Sequence, residues 1–316
     1  MIKIGAINID VSHPKAFSEI LNKGDRARYT AVFNDGFREM DEVMGFAKSN
    51  DLTVCSNLEE MADIVDIGFI HSCNWDRHLE LAKPFIDKGK PVFIDKPIVG
   101  NTKDLKEYAD MVNSGAVILG TSALRYCYEA QKVQKVFDEK NLSPVHSVVS
   151  VGVDEFNYAI HAVELICAIH RSRPLSCTHV SGNNRGKYPC NVYSVKFADG
   201  STGEYIIIDG RFAMYNTIIM SDGDNQDNDF YFTVDNSLLY EAMLDCVCDY
   251  LEGGKNTLAT WEETSDAIRI MLAGKASAEN GDIEVGIDSP LLDNTYFDGY
   301  AFEKGYAAAA SKMYLD

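Results

Sequence analysis

The sequence predicts an α/β protein with an N-terminal Rossmann-type doubly wound parallel sheet and a C-terminal α+β domain that carries a large, mostly antiparallel sheet. Over the first third of the chain, short β-branched runs alternate with amphipathic helical stretches. After residue 122, several strands follow one another with only turns between them. The length of 316 residues exceeds the size at which a single core usually divides. We therefore expect two domains, at 1–122 and 123–316.

The first domain alternates strands and helices with short connections, which is typical of parallel strands covered by helices on both faces. The predicted strands are Lys3–Asn8, Tyr29–Phe33, Thr53–Cys55, Ile64–His71, Val92–Ile94 and Ala116–Gly120. The predicted helices are Pro14–Leu21, Met40–Lys48, Leu58–Ala62, Arg77–Asp87 and Thr102–Ser114. Because open parallel sheets bind ligands outside the carboxyl ends of their strands, we expect the site among the residues that follow each strand.

The second domain contains strands joined by turns such as Asp199-Gly200, which indicates antiparallel pairing. Its predicted strands are Val145–Val153, Thr178–Ser181, Asn191–Ala198, Gly203–Asp209, Ala213–Ser221 and Asp229–Thr233. Its predicted helices are Ala130–Glu139, Asn157–His170, Ser237–Glu252 and Trp261–Glu279. Helices on one face leave the other face of the sheet for a subunit partner, since exposed apolar sheet surface is costly. We expect a homodimer or homotetramer that forms through this C-terminal sheet.

The composition excludes several classes of partner. With 48 acidic and 29 basic residues, the formal net charge is −19, whereas nucleic acids and anionic membranes require a basic surface. No run approaches the roughly 18 apolar residues of a membrane span, and the first residues enter a strand without a signal-peptide pattern. The eight cysteines include no C-x-x-C pair, which favours reduced thiols. We expect a cytoplasmic protein with a small-molecule ligand, without nucleic-acid or membrane partners.

A short apolar strand ends in a carboxylate and an ammonium group at Pro91–Pro97. The predicted strand Val92–Ile94 carries Asp95 and Lys96 to the edge of the sheet, where Pro97 fixes the backbone. A lysine in a partly dry cleft can exchange a proton with a substrate hydroxyl. The alternative, an ordinary ion pair at a strand end, is the more common arrangement for such a heptad.

The turn after the first strand lacks the glycines of a dinucleotide-binding motif. The G-x-G-x-x-G positions fall on Asn8, Asp10 and His13. Asn8 can adopt a left-handed turn, whereas Asp10 would direct a negative charge at a phosphate unless it points away or caps the helix. Ser12 can either cap the helix or donate to a phosphate. By this motif alone, the domain binds a dinucleotide, another ligand or nothing.

The end of the second strand supplies an acidic residue where a dinucleotide would place its ribose. Asn34 and Asp35 lie about twenty residues past the first turn, and a carboxylate there accepts from the ribose hydroxyls and disfavours a 2′-phosphate. If a dinucleotide binds, the cofactor is therefore NAD or NADP, with NAD favoured, and Arg38 nearby weakens that preference.

The segment Gly89–Pro97 closely resembles the signature G-K-x-V-x-x-E-K-P of the glucose–fructose oxidoreductase / inositol dehydrogenase (Gfo/Idh/MocA) family. The first turn, Asp10–His13, resembles a subgroup that reads D-x-S-H in place of the glycines. The resemblance covers essentially the whole chain. It extends to Asp66–Ile70 with Asn74 and His78, to Thr121–Tyr126, and to Ala273–Gly281.

This resemblance implies an NAD(P)-dependent oxidoreductase that moves a hydride between nicotinamide and a hydroxyl or carbonyl group of a sugar, polyol or related compound. It implies that Lys96 transfers the hydroxyl proton, and that Asp95 keeps the carboxylate of the family glutamate. Asn157 and His161 match a catalytic Asp and His one helical turn apart. Asn157 cannot titrate, although it can orient a substrate hydroxyl or the imidazole.

The resemblance also assigns binding residues. Asn74 and His78 would border the nicotinamide, while Arg125 and Tyr126 would contact substrate, although an ion pair at the domain junction suits Arg125 equally well. The expected cofactor-binding residues are Asn8, Asp10, Ser12, His13, Asn34, Asp35, Asn74, His78, Asp95 and Lys96.

The sequence is also compatible with two other functions. A non-catalytic relative, acting as a ligand sensor or scaffold, would explain the glycine-free first turn. An enzyme that uses nicotinamide transiently, for elimination or hydrolysis, would need the same lysine and histidine. We expect no metal site, because His161 and His170 lie on opposite faces of their predicted helix.

Overall fold

The computed structural model describes residues 1–211 and 215–315, and it confirms the predicted fold class. Within these residues the chain forms one sheet of six parallel strands and a second, mostly antiparallel sheet of seven. Two compact units contain them. We call Met1–Thr121, Leu244–Trp261 and Asp298–Asp316 the Rossmann unit, and Ser122–Met243 with Glu262–Phe297 the mixed-sheet unit. The division into functional domains at 1–122 and 123–316 stays a prediction.

The sheet of the Rossmann unit has the strand order β3-β2-β1-β4-β5-β6. Its strands are β1 Ile2–Ile7, β2 Ala27–Phe33, β3 Thr53–Val54, β4 Ile67–Ile70, β5 Val92–Ile94 and β6 Ile118–Leu119. Every residue of β4 and β5 is buried, because helices cover both faces of a doubly wound sheet. The strand order reverses between β1 and β4, and this switch point is where such sheets bind ligands.

The helices are α1 His13–Leu21, α2 Met40–Asn50, α3 Leu58–Ile64, α4 His78–Ile86, α5 Thr102–Asn113, α6 Tyr128–Lys140, α7 Ala159–His170, α8 Glu241–Leu251, α9 Trp261–Glu279 and α10 Gly299–Ala309. Asparagine caps explain where two of them begin. The side chain of Asn57 accepts the backbone N–H of Glu60, and that of Asn101 accepts the N–H of Asp104. None of the described helices is long and apolar enough to span a membrane.

The mixed sheet has the order β12-β11-β7-β10-β9-β8-β13. Its strands are β7 Pro144–Val153, β8 Pro174–Asn183, β9 Cys190–Phe197, β10 Thr202–Asp209, β11 Asn216–Ser221, β12 Phe230–Thr233 and β13 Val285–Gly286. The pair β7 and β10 is parallel, and the other described pairs are antiparallel. Residues 213 and 214 of the predicted strand Ala213–Ser221 lie outside the described residues.

Helix α7 is buried on almost every side, because apolar residues occupy all its faces. At its last residue, His170 bonds to the hydroxyls of Ser147 and Ser201 and stacks on the ring of Phe197. Burial lowers the pKa of His170 to about 4.

We expect this histidine to make the protein less stable in acid. Its folded pKa is below the unfolded value, so the unfolded chain binds the extra proton, and stability falls as the pH drops from about 6.5 towards 4. Between pH 7 and 4.5, wild type should lose about 2 kcal/mol more than His170→Gln, measured by urea unfolding at both pH values. Equal acid losses in wild type and His170→Gln would contradict this assignment.

Candidate functional site

Two asparagines form hydrogen bonds between the turn after β1 and the turn after β2. Asn8 is buried and adopts the left-handed conformation at φ 61°, as the sequence allows. Its Oδ1 accepts the backbone N–H of Asp35 at 2.9 Å, and Oδ1 of Asn34 accepts the N–H of Ile9 at 3.2 Å. These two of the predicted cofactor-binding asparagines therefore hold the backbone of the neighbouring turn.

Asp10 points into the protein. It is fully buried, and its Oδ2 accepts the backbone N–H of Cys73, in the loop after β4, at 3.1 Å. Its Oδ1 has no hydrogen-bond partner among the described residues. Burial raises the pKa of Asp10 to about 6, and the charge of Glu303 acts in the same direction. Ser12 is exposed and stands at the N-terminus of α1 without a side-chain cap bond in the described part of the chain.

Removing the charge of Asp10 is expected to stabilise the protein. Asp10→Asn retains an oxygen that can accept the Cys73 N–H, and it removes an ionised group from a buried site. Because the folded pKa is raised, the gain should be about 3 kcal/mol above pH 6 and should vanish below about pH 4.

Urea unfolding at several pH values measures this gain. Asp63→Asn, at an exposed ion pair with Lys88, serves as the matched control and should change stability by less than about 1 kcal/mol. A destabilised Asp10→Asn protein would contradict the prediction and would indicate that the ionised carboxylate has a partner.

A buried network links the first turn to the end of β5. Asp95 Oδ2 is hydrogen-bonded to Nδ1 of His13 and, at 3.2 Å, to Nδ1 of His71, whose Nε2 bonds to the Tyr29 hydroxyl at 2.8 Å. Asp95 Oδ1 accepts the backbone N–H of Lys96 at 2.8 Å. Burial alone would raise the pKa of Asp95, but the two imidazoles hold it well below its usual value. The structure thus brings together His13 and Asp95, two predicted site residues that lie far apart in the chain.

His78 and Asn74, two predicted cofactor-binding residues that follow β4, form hydrogen bonds with other parts of the chain. His78 is fully buried, with Nδ1 at 2.9 Å from the carbonyl oxygen of Ile98 and Nε2 at 2.9 Å from that of Ser72. Burial lowers the pKa of His78. Asn74 is also buried, and its Nδ2 donates to Glu303 at 3.0 Å.

The charged residues after β2 are paired. Asp35, the expected ribose acceptor, forms an ion pair with Arg77 at 2.6 Å. Arg38 is buried; it pairs with Glu42 at 3.1 Å and donates to the carbonyl oxygen of Asp10 at 2.9 Å. Arg38 therefore ties the second turn to the first.

The C-terminal residues of the chain lie across these same turns. We call residues 299–315, which comprise α10 and the segment after it, the C-terminal strap. The Phe302 ring lies 4.9 Å from the Trp75 ring after β4, and the Tyr314 hydroxyl donates to the carbonyl oxygen of Val11 after β1. The backbone N–H of Met313 donates to Glu42 at 3.0 Å. The strap thus contacts the loops that follow β1 and β4 and, at Glu42, the helix that follows β2.

The strap also brings a carboxylate to the switch point between β1 and β4. The side-chain ligand atoms of Asp10, Cys73 and Glu303 lie within 4.8 Å of one another. The sequence reasoning missed Glu303, because helix α10 was not predicted.

In the observed arrangement, the residues at the carboxyl ends of β1, β2 and β4 do not fit a bound dinucleotide. The usual pose lays the pyrophosphate on the first turn and the N-terminus of the following helix. Here the turn has no glycine, and the carboxyl groups of Asp10 and Glu303 lie within 4.8 Å of each other at the switch point between β1 and β4. Like charges at such distances repel strongly in a partly dry site. The strap contacts the turns that would have to receive the cofactor.

The predicted catalytic residues of the mixed-sheet unit lie at the start of α7. His161 Nδ1 is 2.6 Å from Oγ of Ser122, and Nδ2 of Asn157 is 3.5 Å from Oδ2 of Asp154. Asp154 follows Val153, whose φ of 75° is strained for a β-branched residue. Sequence reasoning did not single out Ser122, although it lies in the crossover segment that carried the family resemblance.

The predicted substrate residue Arg125 forms a buried ion pair. Its Nε donates to Oε2 of Glu164, and its Nη2 lies 3.4 Å from the carbonyl oxygen of Glu263. Tyr126 is half-buried, and its carbonyl oxygen accepts from Gln131 at 2.7 Å. The pair with Glu164 lies within the mixed-sheet unit, so both substrate contact and the domain-junction ion pair considered for Arg125 stay predictions. The approach of His161 to Lys96, which belongs to the other unit, also stays a prediction.

Residues 4–122 match the model of the GFO_IDH_MocA family, described as an oxidoreductase family with an NAD-binding Rossmann fold. The match contains the whole segment from the first turn to the heptad that ends at Pro97. No curated protein sequence matches the chain significantly.

Three solved structures illustrate the similarity of fold. Myo-inositol dehydrogenase from Lactobacillus casei, in complex with NAD(H) and myo-inositol, has 12% identity and a TM-score of 0.76 over 92% of this chain and 97% of that chain. Apo scyllo-inositol dehydrogenase from the same organism has 14% identity and a TM-score of 0.75, covering 92% and 99%. Myo-inositol 2-dehydrogenase from Lactobacillus plantarum has 15% identity and a TM-score of 0.75, covering 90% and 99%. At these identities the similarity is one of fold.

Proposed function

We propose that the whole chain belongs to the Gfo/Idh/MocA oxidoreductase family and is an NAD(P)-dependent enzyme. It acts on a hydroxyl or carbonyl group of a sugar, polyol or related compound. The family match over residues 4–122 and the fold shared with inositol dehydrogenases support this proposal. The D-x-S-H first turn favours the subgroup named above.

The observation that carries the proposal is the arrangement of Asp95 and Lys96 at the carboxyl end of β5. His13 and His71 hold the Asp95 carboxylate ionised in a buried site, and that carboxylate binds the backbone of Lys96. This hydrogen bond fixes the backbone of Lys96 and therefore the position from which its side chain extends. Lys96 then takes the proton of the substrate hydroxyl, with His161 assisting and Asn157 orienting the substrate.

NAD is the favoured cofactor. Asp35 supplies a carboxylate at the end of β2, which would accept from ribose hydroxyls and repel a 2′-phosphate. The ion pair with Arg77 reduces this preference, because a guanidinium beside the carboxylate partly offsets its charge. In the present arrangement the turns do not fit a dinucleotide, so the bound state requires a different position of the strap.

A fluorescence titration with NADH and NADPH tests the cofactor assignment. We expect saturable binding of both dinucleotides, with NADH the tighter ligand. Absence of saturation with either dinucleotide at millimolar concentration, in the intact chain and in variants with a displaced strap, would contradict the proposed function.

The second candidate function is a non-catalytic relative that senses a ligand or acts as a scaffold. The specific observation in its favour is the first turn, which lacks glycines and contacts the strap instead of presenting its backbone to a ligand. The same titration separates the two functions.

We also propose a cytoplasmic homo-oligomer that forms through the outer face of the mixed sheet. Apolar side chains such as Ile218, 38% exposed, and Tyr231, 68% exposed, lie on its strands β11 and β12. Pairing would bury such apolar area. Light scattering in solution would contradict the proposal if it gave the mass of one chain.

A further inference from the structure

We propose that the C-terminal strap is a releasable closure of the crevice at the carboxyl ends of β1, β2 and β4, so that strap and crevice ligand exclude one another. The identity of that ligand as a dinucleotide rests on the proposed function. The closure itself rests only on contacts within the Rossmann unit.

Close backbone contact marks both ends of the strap. A Cβ atom at Gly299, the first residue of α10, would meet Oδ1 of Asn74 and the backbone of Asp76. A Cβ atom at Gly45, inside helix α2, would overlap the carbonyl oxygen of Tyr314. Glycine in a helix interior is unfavourable for the helix, so its presence at position 45 has a packing reason. The two glycines allow the strap to lie directly against the loop after β4 and against α2.

Polar contacts hold the strap between these ends. Arg38 donates to the carbonyl oxygen of Ser311 at 2.7 Å and to that of Asp10 at 2.9 Å, so one guanidinium joins the strap to the first turn. The Tyr314 hydroxyl donates to the carbonyl oxygen of Val11. These partners are backbone groups and a guanidinium at the edge of the crevice.

The strap places an anionic group where an anionic ligand would bind. The Asn74 amide, a donor predicted from the sequence to border the cofactor, donates to the Glu303 carboxylate. That carboxylate lies beside buried Asp10. Glu303 therefore uses the Asn74 amide, a hydrogen-bond donor that a ligand in the crevice would otherwise bind. Repulsion between the carboxylates of Glu303 and Asp10 destabilises the position of the strap on the crevice.

Helix α10 of the strap has few buried side chains, which favours its release from the crevice. In helix α10, all of whose residues are described, Gly299 is the one residue that is buried. Its aromatic contacts, Phe302 with Trp75 and Tyr306 with Phe37, involve half-buried strap side chains. Elements with few buried apolar contacts open locally at lower free energy than the core. Helix α10 can therefore leave the crevice without unfolding the sheet, whereas Tyr314 near the end of the strap is 4% exposed, with its ring 5.3 Å from that of Phe46.

Gly45→Ala in the full chain tests the proposal. Alanine favours the α2 helix, but its Cβ overlaps the Tyr314 carbonyl and displaces the end of the strap. The matched control is Gly305→Ala on α10, where a Cβ would meet no described atom within 4 Å.

Alkylation of Cys73, located by peptide mass spectrometry, reports opening because this buried thiol lies beside Glu303. Buried Cys177 in the mixed-sheet unit is the internal reference. We expect Gly45→Ala to raise the Cys73 labelling rate about 10-fold and to tighten NADH binding by a similar factor, since the apparent affinity scales with the open fraction. Gly305→Ala should change neither. NADH should also increase hydrogen exchange at residues 299–315 in wild type.

The outcomes separate this inference from the proposed function. Unchanged Cys73 labelling in Gly45→Ala would overturn the releasable closure. So would NADH binding that is equal in all three proteins and leaves exchange at residues 299–315 unaltered, and this result would leave the oxidoreductase function intact. Faster labelling without binding of NADH or NADPH would support the closure and overturn the proposed function.

Discussion

Replacing Lys96 by Met is expected to lower kcat for oxidation of the substrate hydroxyl about 10³-fold, with little change in the free energy of unfolding. The factor is that of removing a positioned acid–base group. Methionine keeps the length and apolar stem of lysine and removes only the ammonium. The Asp95 carboxylate should remain held by His13 and His71, because its contact with residue 96 is made by the backbone N–H.

Steady-state kinetics of wild type and variant with the same dinucleotide and substrate measure this loss. Lys103→Met is the matched control, since it removes an exposed ammonium from helix α5. It should retain wild-type kcat. A Lys96→Met enzyme with kcat within about threefold of wild type would remove Lys96 from the proton transfer.

The second large effect is expected at the buried ion pair of the mixed-sheet unit. Arg125→Met leaves the carboxylate of Glu164 buried without its partner, and breaking such a pair from one side typically costs about 3–5 kcal/mol. The double variant Arg125→Met with Glu164→Leu should recover most of that loss, because replacing both partners by apolar groups is often close to neutral.

Urea unfolding measures the loss in each variant. Arg173→Met breaks an exposed pair with Asp288 and should cost less than about 1 kcal/mol. If Arg125→Met kept wild-type stability and instead raised KM, the residue would contact substrate, as the family resemblance implies.

Most of the fold follows from local patterns. The strand at Val92–Ile94 and the helix at Trp261–Glu279 have the predicted bounds, because each has a clear end. The apolar run of the strand stops at Asp95, and the helix stops before Asn280-Gly281. The predicted helix Ser237–Glu252 was wrong at its start. There the chain makes a short 3-10 turn at Asn236–Leu238, and α8 begins at Glu241.

Helix α10 and strand β13 were not predicted, for physical reasons. The sequence of α10 contains Gly299, Gly305 and a run of alanines, so no apolar stripe marks a buried face. Strand β13 is only two residues long and owes its existence to pairing with β8. Tertiary contacts decide both elements.

In the candidate site, too, some features follow from the local sequence, whereas others depend on tertiary contacts. The adjacency of Asp95 and Lys96 at a strand end follows from the sequence alone, whereas the contact of His13 with Asp95 depends on how β1 and β5 lie in the sheet. The contact of Asn74 with Glu303 joins residues that are 229 positions apart, and no local pattern reports it. The strap also gives the glycine-free first turn a physical explanation. That turn meets a protein segment, so it does not need the close backbone approach that glycine gives a pyrophosphate.

The formation of NADH from NAD⁺ and a panel of inositols, sugars and sugar acids tests the central claim most directly, measured in the Gly45→Ala background where the strap is displaced. We predict substrate-dependent NADH formation by Gly45→Ala at a higher rate than by wild type at subsaturating NAD⁺, and its loss in Gly45→Ala with Lys96→Met. A Gly45→Ala protein that binds NAD⁺ and forms no NADH with any hydroxyl compound, at any pH between about 6 and 9, would contradict the claim that this chain is an oxidoreductase working through Lys96.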